Sequence, residues 1–169
     1  KKATIASANI DGPVYLRFSR DKTPVMTTDE TPFETGKILT FWTTENPVTT
    51  IFSTGYMTHY ALLAAKELEQ ENIQVLVANV ATIKPLDTET ILSVIQNSKA
   101  AVTVEDHQVT GGLGGAIAEF LSKTKPTPIE FIGLQDTFAE SGTPKELVEK
   151  YGMGKESIKN AVKKVIGRK

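Results

Sequence analysis

The sequence contains no cysteine, which excludes disulfides, thiolate metal sites and a cysteine nucleophile. It has no apolar run close to the roughly 20 residues that a membrane-spanning helix needs. The formal net charge of −1 gives no general attraction for nucleic acid or anionic lipid. We therefore expect no nucleic acid and no membrane among the partners. The lack of cysteine fits a reducing compartment, and we expect a cytoplasmic location.

A starting methionine is also missing, since the chain begins Lys1-Lys2-Ala3, and no charged-then-apolar leader follows. We expect a fragment of something longer. The 169 residues, 40% of them apolar, are enough for one well-buried domain with a short appendage.

Three segments differ in composition. In residues 1–20, the aromatic and β-branched content of Gly12–Phe18 predicts a single strand. One strand cannot bury itself, so we interpret residues 1–20 as the terminal strand of a preceding domain. Residues 21–37, with two prolines, five threonines and one glycine, have the composition of a linker. Residues 38–169 are predicted to form the main domain.

Strand-like and helix-like patterns alternate along the main domain. The runs Ile38–Thr43 and Val48–Ser53 flank Glu45-Asn46-Pro47, and their spacing predicts a hairpin. Further strands are predicted at Ile73–Val80, Ala100–Val104 and Pro128–Gly133. Helices are predicted after Gly55, after an N-cap at Asp87, over Leu113–Ser122, from a capping box at Thr143-Pro144-Lys145-Glu146 with Pro144 as its first helical residue, and over Lys155–Ile166. This alternation predicts an α/β fold with three layers and a mostly parallel sheet.

One strand-to-helix turn carries most of the polar chemistry. Glu105, Asp106 and His107 directly follow the strand at Ala100–Val104, and the glycines Gly111 and Gly112 precede the next helix. In open α/β sheets, such turns at the carboxyl ends of strands are where ligands or partners meet the sheet. We therefore predict an interface or ligand turn formed by Glu105, Asp106, His107, Gly111 and Gly112.

The glycines of this turn admit two interpretations. Gly111, Gly112, Gly114 and Gly115 can cradle a phosphate at the start of the helix, or they can let the helix pack closely on the sheet. The dinucleotide fingerprint is not met, because Ile117 occupies its third glycine position. No Walker A pattern occurs in the sequence.

Two histidines and two arginines are the remaining candidates for chemistry. His107, beside two carboxylates, has the setting of a general acid or base, or of a hydrogen-bonding residue at a domain contact. His59 lies among apolar neighbours, and two histidines at this separation predict no metal site. Arg17 and Arg20 give the first segment a basic end, suited either to phosphate oxygens or to solvent.

Four stretches taken together resemble landmarks of the transketolase family, in the same order. They are Gly12–Arg20, Thr82–Asp87, Val104–Gly112, and Ser141-Gly142 with Glu146-Leu147 and Lys150–Gly152. The resemblance covers essentially the whole chain. It implies the end of the pyrimidine-binding domain in residues 1–20, the linker in 21–37 and a complete C-terminal domain in 38–169.

The resemblance has consequences for fold and site. It implies a five-stranded sheet with one antiparallel strand, Ile38–Thr43, placed away from its sequence neighbour, against the hairpin. It also implies that Arg20 binds the sugar phosphate of the substrate.

Transketolases use thiamine diphosphate and a divalent metal to move a two-carbon ketol unit between sugar phosphates. The Gly-Asp-Gly motif of the metal and diphosphate site does not occur in this sequence, nor does the activating carboxylate upstream. The resemblance therefore implies a structural part that is inactive alone and binds no thiamine diphosphate or metal by itself. Its expected partners are the remaining thiamine-binding domains and a second copy in a homodimer.

Two other functions stay open. One is the C-terminal domain of a deoxyxylulose-phosphate synthase or of a 2-oxo-acid dehydrogenase beta subunit. The other is a free-standing regulatory module that binds a small anion at the glycine turn.

Overall fold

The computed structural model describes residues 1–20 and 22–169, in which five strands form one sheet flanked by helices. The strands are β1 (Leu39–Trp42), β2 (Thr49–Ser53), β3 (Val75–Asn79), β4 (Ala101–Gln108) and β5 (Ile129–Leu134). The helices are α1 (Lys2–Ser7), α2 (Met57–Gln70), α3 (Thr88–Ser98), α4 (Leu113–Thr124), α5 (Pro144–Lys150) and α6 (Lys155–Ile166). The strands from β2 onward alternate with helices, as the sequence predicts.

The strand order is β1-β3-β2-β4-β5, and the predicted hairpin between β1 and β2 is wrong. β1 instead runs antiparallel to β3, with Leu39 opposite Asn79, while all other pairs are parallel. The physical reason is burial. Every residue of β2 is buried, so β2 needs a neighbour on each side, whereas β1 is partly exposed and suits an edge. The mixed sheet implied by the family resemblance is therefore confirmed.

Two hydrophobic cores cover the two faces of the sheet. Side chains alternate along a strand, so Ile51 of β2 enters the core under α2 and α6, and the adjacent Phe52 enters the core under α3 and α4. Both residues are completely buried. The three-layer arrangement predicted from the sequence is thus confirmed.

Local capping signals set two helix starts as predicted. The Asp87 carboxylate accepts a hydrogen bond from the Thr90 backbone N–H at 3.2 Å and one from the Ile38 backbone N–H at 2.9 Å, joining the start of α3 to the residue before β1. At α5, Thr143 and Glu146 form a capping box with Pro144 at the first turn.

Residues 12–18 form no strand in this structure, because they pair with no other strand in the part of the chain that is described. The first segment instead contains the short helix α1 followed by irregular chain. That residues 1–20 end a preceding domain and residues 21–37 link it to 38–169 stays a prediction, and Asp21 lies outside the described residues. None of the described helices is long and apolar enough to cross a bilayer.

Candidate functional site at the carboxyl ends of β2 and β4

The sheet has a topological switch point between β2 and β4. From β2 the chain passes through α2 to β3 on one side, and from β4 it passes through α4 to β5 on the other side. The two connecting helices lie on opposite faces, since α2 contributes to one core and α4 to the other. In open α/β sheets, the crevice at such a point is where ligands bind. The predicted turn at residues 105–112 lies on one side of this crevice.

The buried side chain of Glu105 caps the N-terminus of α4. Its side chain is only 1% exposed. One carboxylate oxygen accepts the Leu113 backbone N–H at 2.7 Å, and the other accepts the Gly114 backbone N–H at 2.8 Å. These N–H groups belong to the first turn of α4, where no intrahelical acceptor exists. Because Gly112 at the N-cap offers no side-chain acceptor, Glu105 takes over that role.

The glycines around Glu105 leave room for its carboxylate. A Cβ on Gly112 would lie 1.9 Å from Glu105 Oε2, and a Cβ on Gly114 would lie 2.8 Å from the Thr103 hydroxyl. A Cβ on Gly133 in β5 would lie 2.9 Å from the His107 carbonyl oxygen. These contacts favour the close-packing interpretation of the glycines, because an internal carboxylate occupies the amides that a phosphate would need.

Burial dominates the electrostatics of the carboxyl groups at this turn. Burial raises the pKa of Glu105, and the hydrogen bonds from Gly114 and Leu113 offset only part of that rise. Burial also raises the pKa of Asp106, against the opposing charge of Arg17.

Arg17 from the first segment enters this crevice. Its guanidinium donates to the Asp106 carbonyl oxygen at 2.9 Å and lies 3.4 Å from Asp106 Oδ2. Burial first, and then the charge of Asp106, raise the pKa of Tyr56 to about 12, while Arg17 acts in the opposite direction. Tyr56 stands at the start of α2, so the crevice holds residues from the turns after both β2 and β4, together with the first segment.

The two histidines differ in their exposure and in their contacts. His107 is exposed near the end of β4, and its Nδ1 lies 3.1 Å from the Gln108 carbonyl oxygen. His59 on α2 packs edge-on against Tyr60, with ring centroids 5.7 Å apart. His59 is partly buried and packs against the ring of its chain neighbour. The interface or ligand role of Glu105, Asp106, His107, Gly111 and Gly112 stays a prediction.

The capping role of Glu105 and the approach of Arg17 were missed by sequence reasoning. Glu105 reaches eight and nine residues along the chain, beyond the spacing of a capping box. A signal was nevertheless present, since a carboxylate that ends a buried strand before a glycine-rich helix start has a natural partner in that helix. For Arg17 we find no such signal. Arg20, the residue singled out by the resemblance, is exposed.

The described residues at this turn do not fit a resident diphosphate or divalent metal. The amides at the start of α4 are taken by Glu105. Among residues 1–20 and 22–169, no group of three histidine or acidic side chains is placed to hold a metal ion. We therefore derive no chemical step through a cofactor on this chain.

A cleft of about 520 Å³ lies elsewhere, between residues 27–34 and β1. Its lysines already have partners. Lys2 donates to the Asp29 carbonyl oxygen at 2.6 Å, Lys1 lies 3.7 Å from the Asp29 carboxylate and Lys37 lies 3.9 Å from that of Glu89. The lysine side chains of the cleft therefore already interact with oxygen atoms of the protein itself.

Comparison with known proteins decides the family. The family model described as "Transketolase, C-terminal domain" matches residues 42–158, which span the whole sheet from the end of β1. The chain belongs to the transketolase C-terminal domain family. The family resemblance read from the sequence is thus confirmed.

Individual relatives agree with this assignment. The 6-deoxy-6-sulfo-D-fructose transketolase subunit of Clostridium sp. (strain MSTE9) is 39% identical over 94% of this chain and 49% of its own length. The 1-deoxy-D-xylulose-5-phosphate synthase of Syntrophus aciditrophicus (strain SB) is 34% identical over 91% of this chain and 24% of its own length. This transketolase C-terminal domain chain therefore spans half or less of the length of these relatives.

A solved structure described as "Split gene transketolase, inactive beta4 tetramer" resembles the chain throughout. It superposes with a TM-score of 0.92 at 39% identity and covers 98% of this chain and 54% of that one. The similarity therefore includes the first segment as well as the transketolase C-terminal domain.

Proposed function

We propose that this chain is the C-terminal part of a thiamine-diphosphate-dependent transketolase that moves a two-carbon ketol unit between sugar phosphates. The observation that carries the proposal is the similarity over 98% of the chain to a split-gene transketolase chain. The match to the Clostridium transketolase subunit supports it independently.

In this proposal the chain has a structural role and does not react. The thiamine diphosphate and its divalent metal are held by the remaining thiamine-binding domains, in the same polypeptide or in a second subunit. Two observations support this division: the α4 amides are taken by Glu105, and the described residues offer no metal cluster. The complete enzyme is a cytoplasmic homodimer, and the chain alone is inactive.

Arg20 is the residue of this chain that binds substrate. Arg20 is an exposed residue, and a guanidinium is a planar set of donors that suits phosphate oxygens. We expect Arg20→Ala to raise the KM for phosphorylated sugars about 10-fold or more, because a hydrogen bond to a charged group contributes about 1.5–3 kcal/mol. Thiamine diphosphate affinity should not change.

Reconstitution tests this proposal. The chain is assayed for ketol transfer alone and after co-expression with the thiamine-binding domains that complete the enzyme. Activity only in the co-expressed sample is expected. Lys22→Ala, which removes another exposed positive charge from the same region, is the matched control for Arg20→Ala. An unchanged KM in Arg20→Ala would remove Arg20 from the phosphate site, and ketol transfer by the chain alone would refute the structural role.

One alternative has specific support. The synthase of Syntrophus aciditrophicus is 34% identical to this chain, so a deoxyxylulose-phosphate synthase is the second candidate. Product analysis of the reconstituted enzyme separates the two, because only the synthase forms a deoxyxylulose phosphate. The turn geometry does not favour an anion-binding regulatory module, and tight calorimetric binding of a sugar phosphate or nucleotide to the isolated chain would revive it.

A further inference from the structure

The first segment reaches the switch point without burying much of itself. Between residues 12 and 20, every residue except Leu16 is exposed, and Tyr15 and Phe18 are 87% and 66% exposed. Hydrophobic burial therefore contributes little to holding this segment on the sheet. The position of this segment therefore depends on specific polar contacts.

Arg17 makes two such contacts, both with Asp106. Its Nη1 donates to the Asp106 carbonyl oxygen at 2.9 Å, and its Nη2 lies 3.4 Å from the Asp106 carboxylate. The guanidinium thus meets a backbone acceptor and a charged side chain together, a two-point contact that fixes direction as well as distance. A lysine ammonium in its place would act as a single point charge.

An irregularity in β4 makes the backbone acceptor accessible. β4 and β5 are paired in register up to Val104 opposite Ile132, and the next pair is Gln108 opposite Leu134, with a register shift between them. On the other side of β4, pairing with β2 ends at Val104 opposite Ser53. The Asp106 carbonyl therefore lies outside the regular ladder, as at a β-bulge, and Arg17 becomes its donor.

The position of this contact is the crevice in which an open α/β sheet usually receives a ligand. Tyr56, from the turn after β2, lies close enough to Asp106 and Arg17 for both charges to act on its hydroxyl. In this chain, a side chain of the first segment thus occupies the place of a ligand.

We propose that Arg17 is a positioning residue that docks in the switch-point crevice on Asp106 and fixes residues 12–20 against the sheet. Through this contact it sets the place of Arg20, three residues further along. The docking is independent of the proposed function, whereas the consequence for substrate phosphate rests on the proposed role of Arg20.

Limited trypsin digestion of the chain tests the docking. Trypsin cuts after Arg17 only when the guanidinium is free to enter the protease pocket. We expect Asp106→Asn to speed cleavage after Arg17 about two- to five-fold, since a half-exposed ion pair is worth up to about a factor of five. Asp106→Glu keeps a carboxylate and should restore most of the protection. Glu119→Gln, an equal charge change on exposed α4 surface, should have no effect. Equal cleavage rates in Asp106→Asn and the unchanged chain would overturn the docking of Arg17 on the Asp106 carboxylate.

Kinetics of the reconstituted enzyme test the positioning role. Arg17→Ala should raise the KM for a phosphorylated sugar about three- to five-fold, and Asp106→Asn should raise it less, because the Asp106 carbonyl oxygen remains as an acceptor. In both variants kcat and the KM for an unphosphorylated sugar should change much less. The double variant should be no worse than Arg17→Ala alone, because Arg17→Ala already removes both contacts with Asp106. If both KM values rise equally, or neither rises, the positioning role is wrong. If the enzyme lacks ketol transfer, the proposed function fails while the digestion still decides the docking.

Discussion

Carboxylates are held in opposite ways in two regions of this molecule. At the turn between β4 and α4, Glu105 is buried and meets backbone N–H donors. On the surface between α2 and α6, Glu67 and Glu71 meet lysines. Glu67 contacts Lys155 and lies 2.8 Å from Lys159, and Glu71 lies 3.1 Å from Lys159.

The two settings shift the pKa in opposite directions. At the turn, burial raises the pKa of Glu105. On the helix surface, hydrogen bonds from Lys155 and Lys159 lower the pKa of Glu67 to about 2. The comparison shows that a carboxylate near donors is not in itself stabilised as an anion. The sign depends on which effect is larger: burial outweighs the amide donors at Glu105, whereas the lysine donors outweigh burial at Glu67.

Gly112→Ala should lower the stability most, because the new methyl group would overlap the buried Glu105 carboxylate. The new Cβ would lie 1.9 Å from Glu105 Oε2, so either the carboxylate or the backbone has to move. We expect a loss of about 3 kcal/mol in the free energy of unfolding, from overpacking and from the weakened cap. Urea unfolding followed by circular dichroism measures it.

Gly115→Ala is the matched control for that substitution. It lies on the same helix, and its nearest neighbour would be the Val109 carbonyl oxygen at an ordinary 3.7 Å. Alanine in place of glycine within a helix should stabilise by about 0.5–1 kcal/mol. Equal losses in both variants would show that the helix start is sensitive to any side chain, and that Glu105 plays no special part.

Glu105→Gln should have an intermediate effect. The amide has nearly the same shape, but its NH₂ group faces one of the two backbone N–H donors, so that a buried donor loses its acceptor. We expect a loss of about 2 kcal/mol at neutral pH, read by urea unfolding.

The pH dependence of this loss has a definite sign. Because the pKa of Glu105 is raised in the folded state, the folded chain binds more protons than the unfolded chain between the ordinary and the raised value. The stabilisation from this group therefore falls as the pH rises through that window. The advantage of the unchanged chain over Glu105→Gln should grow as the pH is lowered, and a shrinking advantage would contradict the raised pKa.

The fold was largely predictable because its signals are local. The Asp87 cap, the capping box at Thr143 and the alternation of strand and helix patterns depend on residues within a few positions of each other. The pairing of β1 was not predictable from the spacing of β1 and β2. It depends on the burial of β2 from both sides, a property of the whole sheet, and only the family resemblance placed it correctly.

The site was less predictable for the same reason. Sequence reasoning selected the turn and kept close packing as an explanation of its glycines, which the contact between Gly112 and Glu105 supports. It missed the bond from Arg17 to Asp106, which joins residues 89 positions apart. No periodic pattern or spacing rule acts across such a distance, so only the assembled fold could show it.

Glu67→Gln should lower the stability less than Gly112→Ala or Glu105→Gln. Its pH dependence should be opposite to that of Glu105→Gln. Glu67 lies partly exposed on the helix surface, where ion pairs contribute little, so we expect the midpoint of thermal unfolding to fall by about 1–3 °C at neutral pH. The folded-state pKa of about 2 lies below the ordinary value of 4.5, so the unfolded chain binds more protons between these values. The stabilisation from Glu67 is therefore present above pH 4.5 and is lost as the pH falls toward 2. The difference in stability between the unchanged chain and Glu67→Gln should shrink over that range, while the difference for Glu105→Gln grows.

Glu69→Gln, an exposed position on the same helix, controls for the loss of one negative charge. If the Glu67→Gln and Glu105→Gln differences move together with pH, net charge and not the local setting governs both carboxylates.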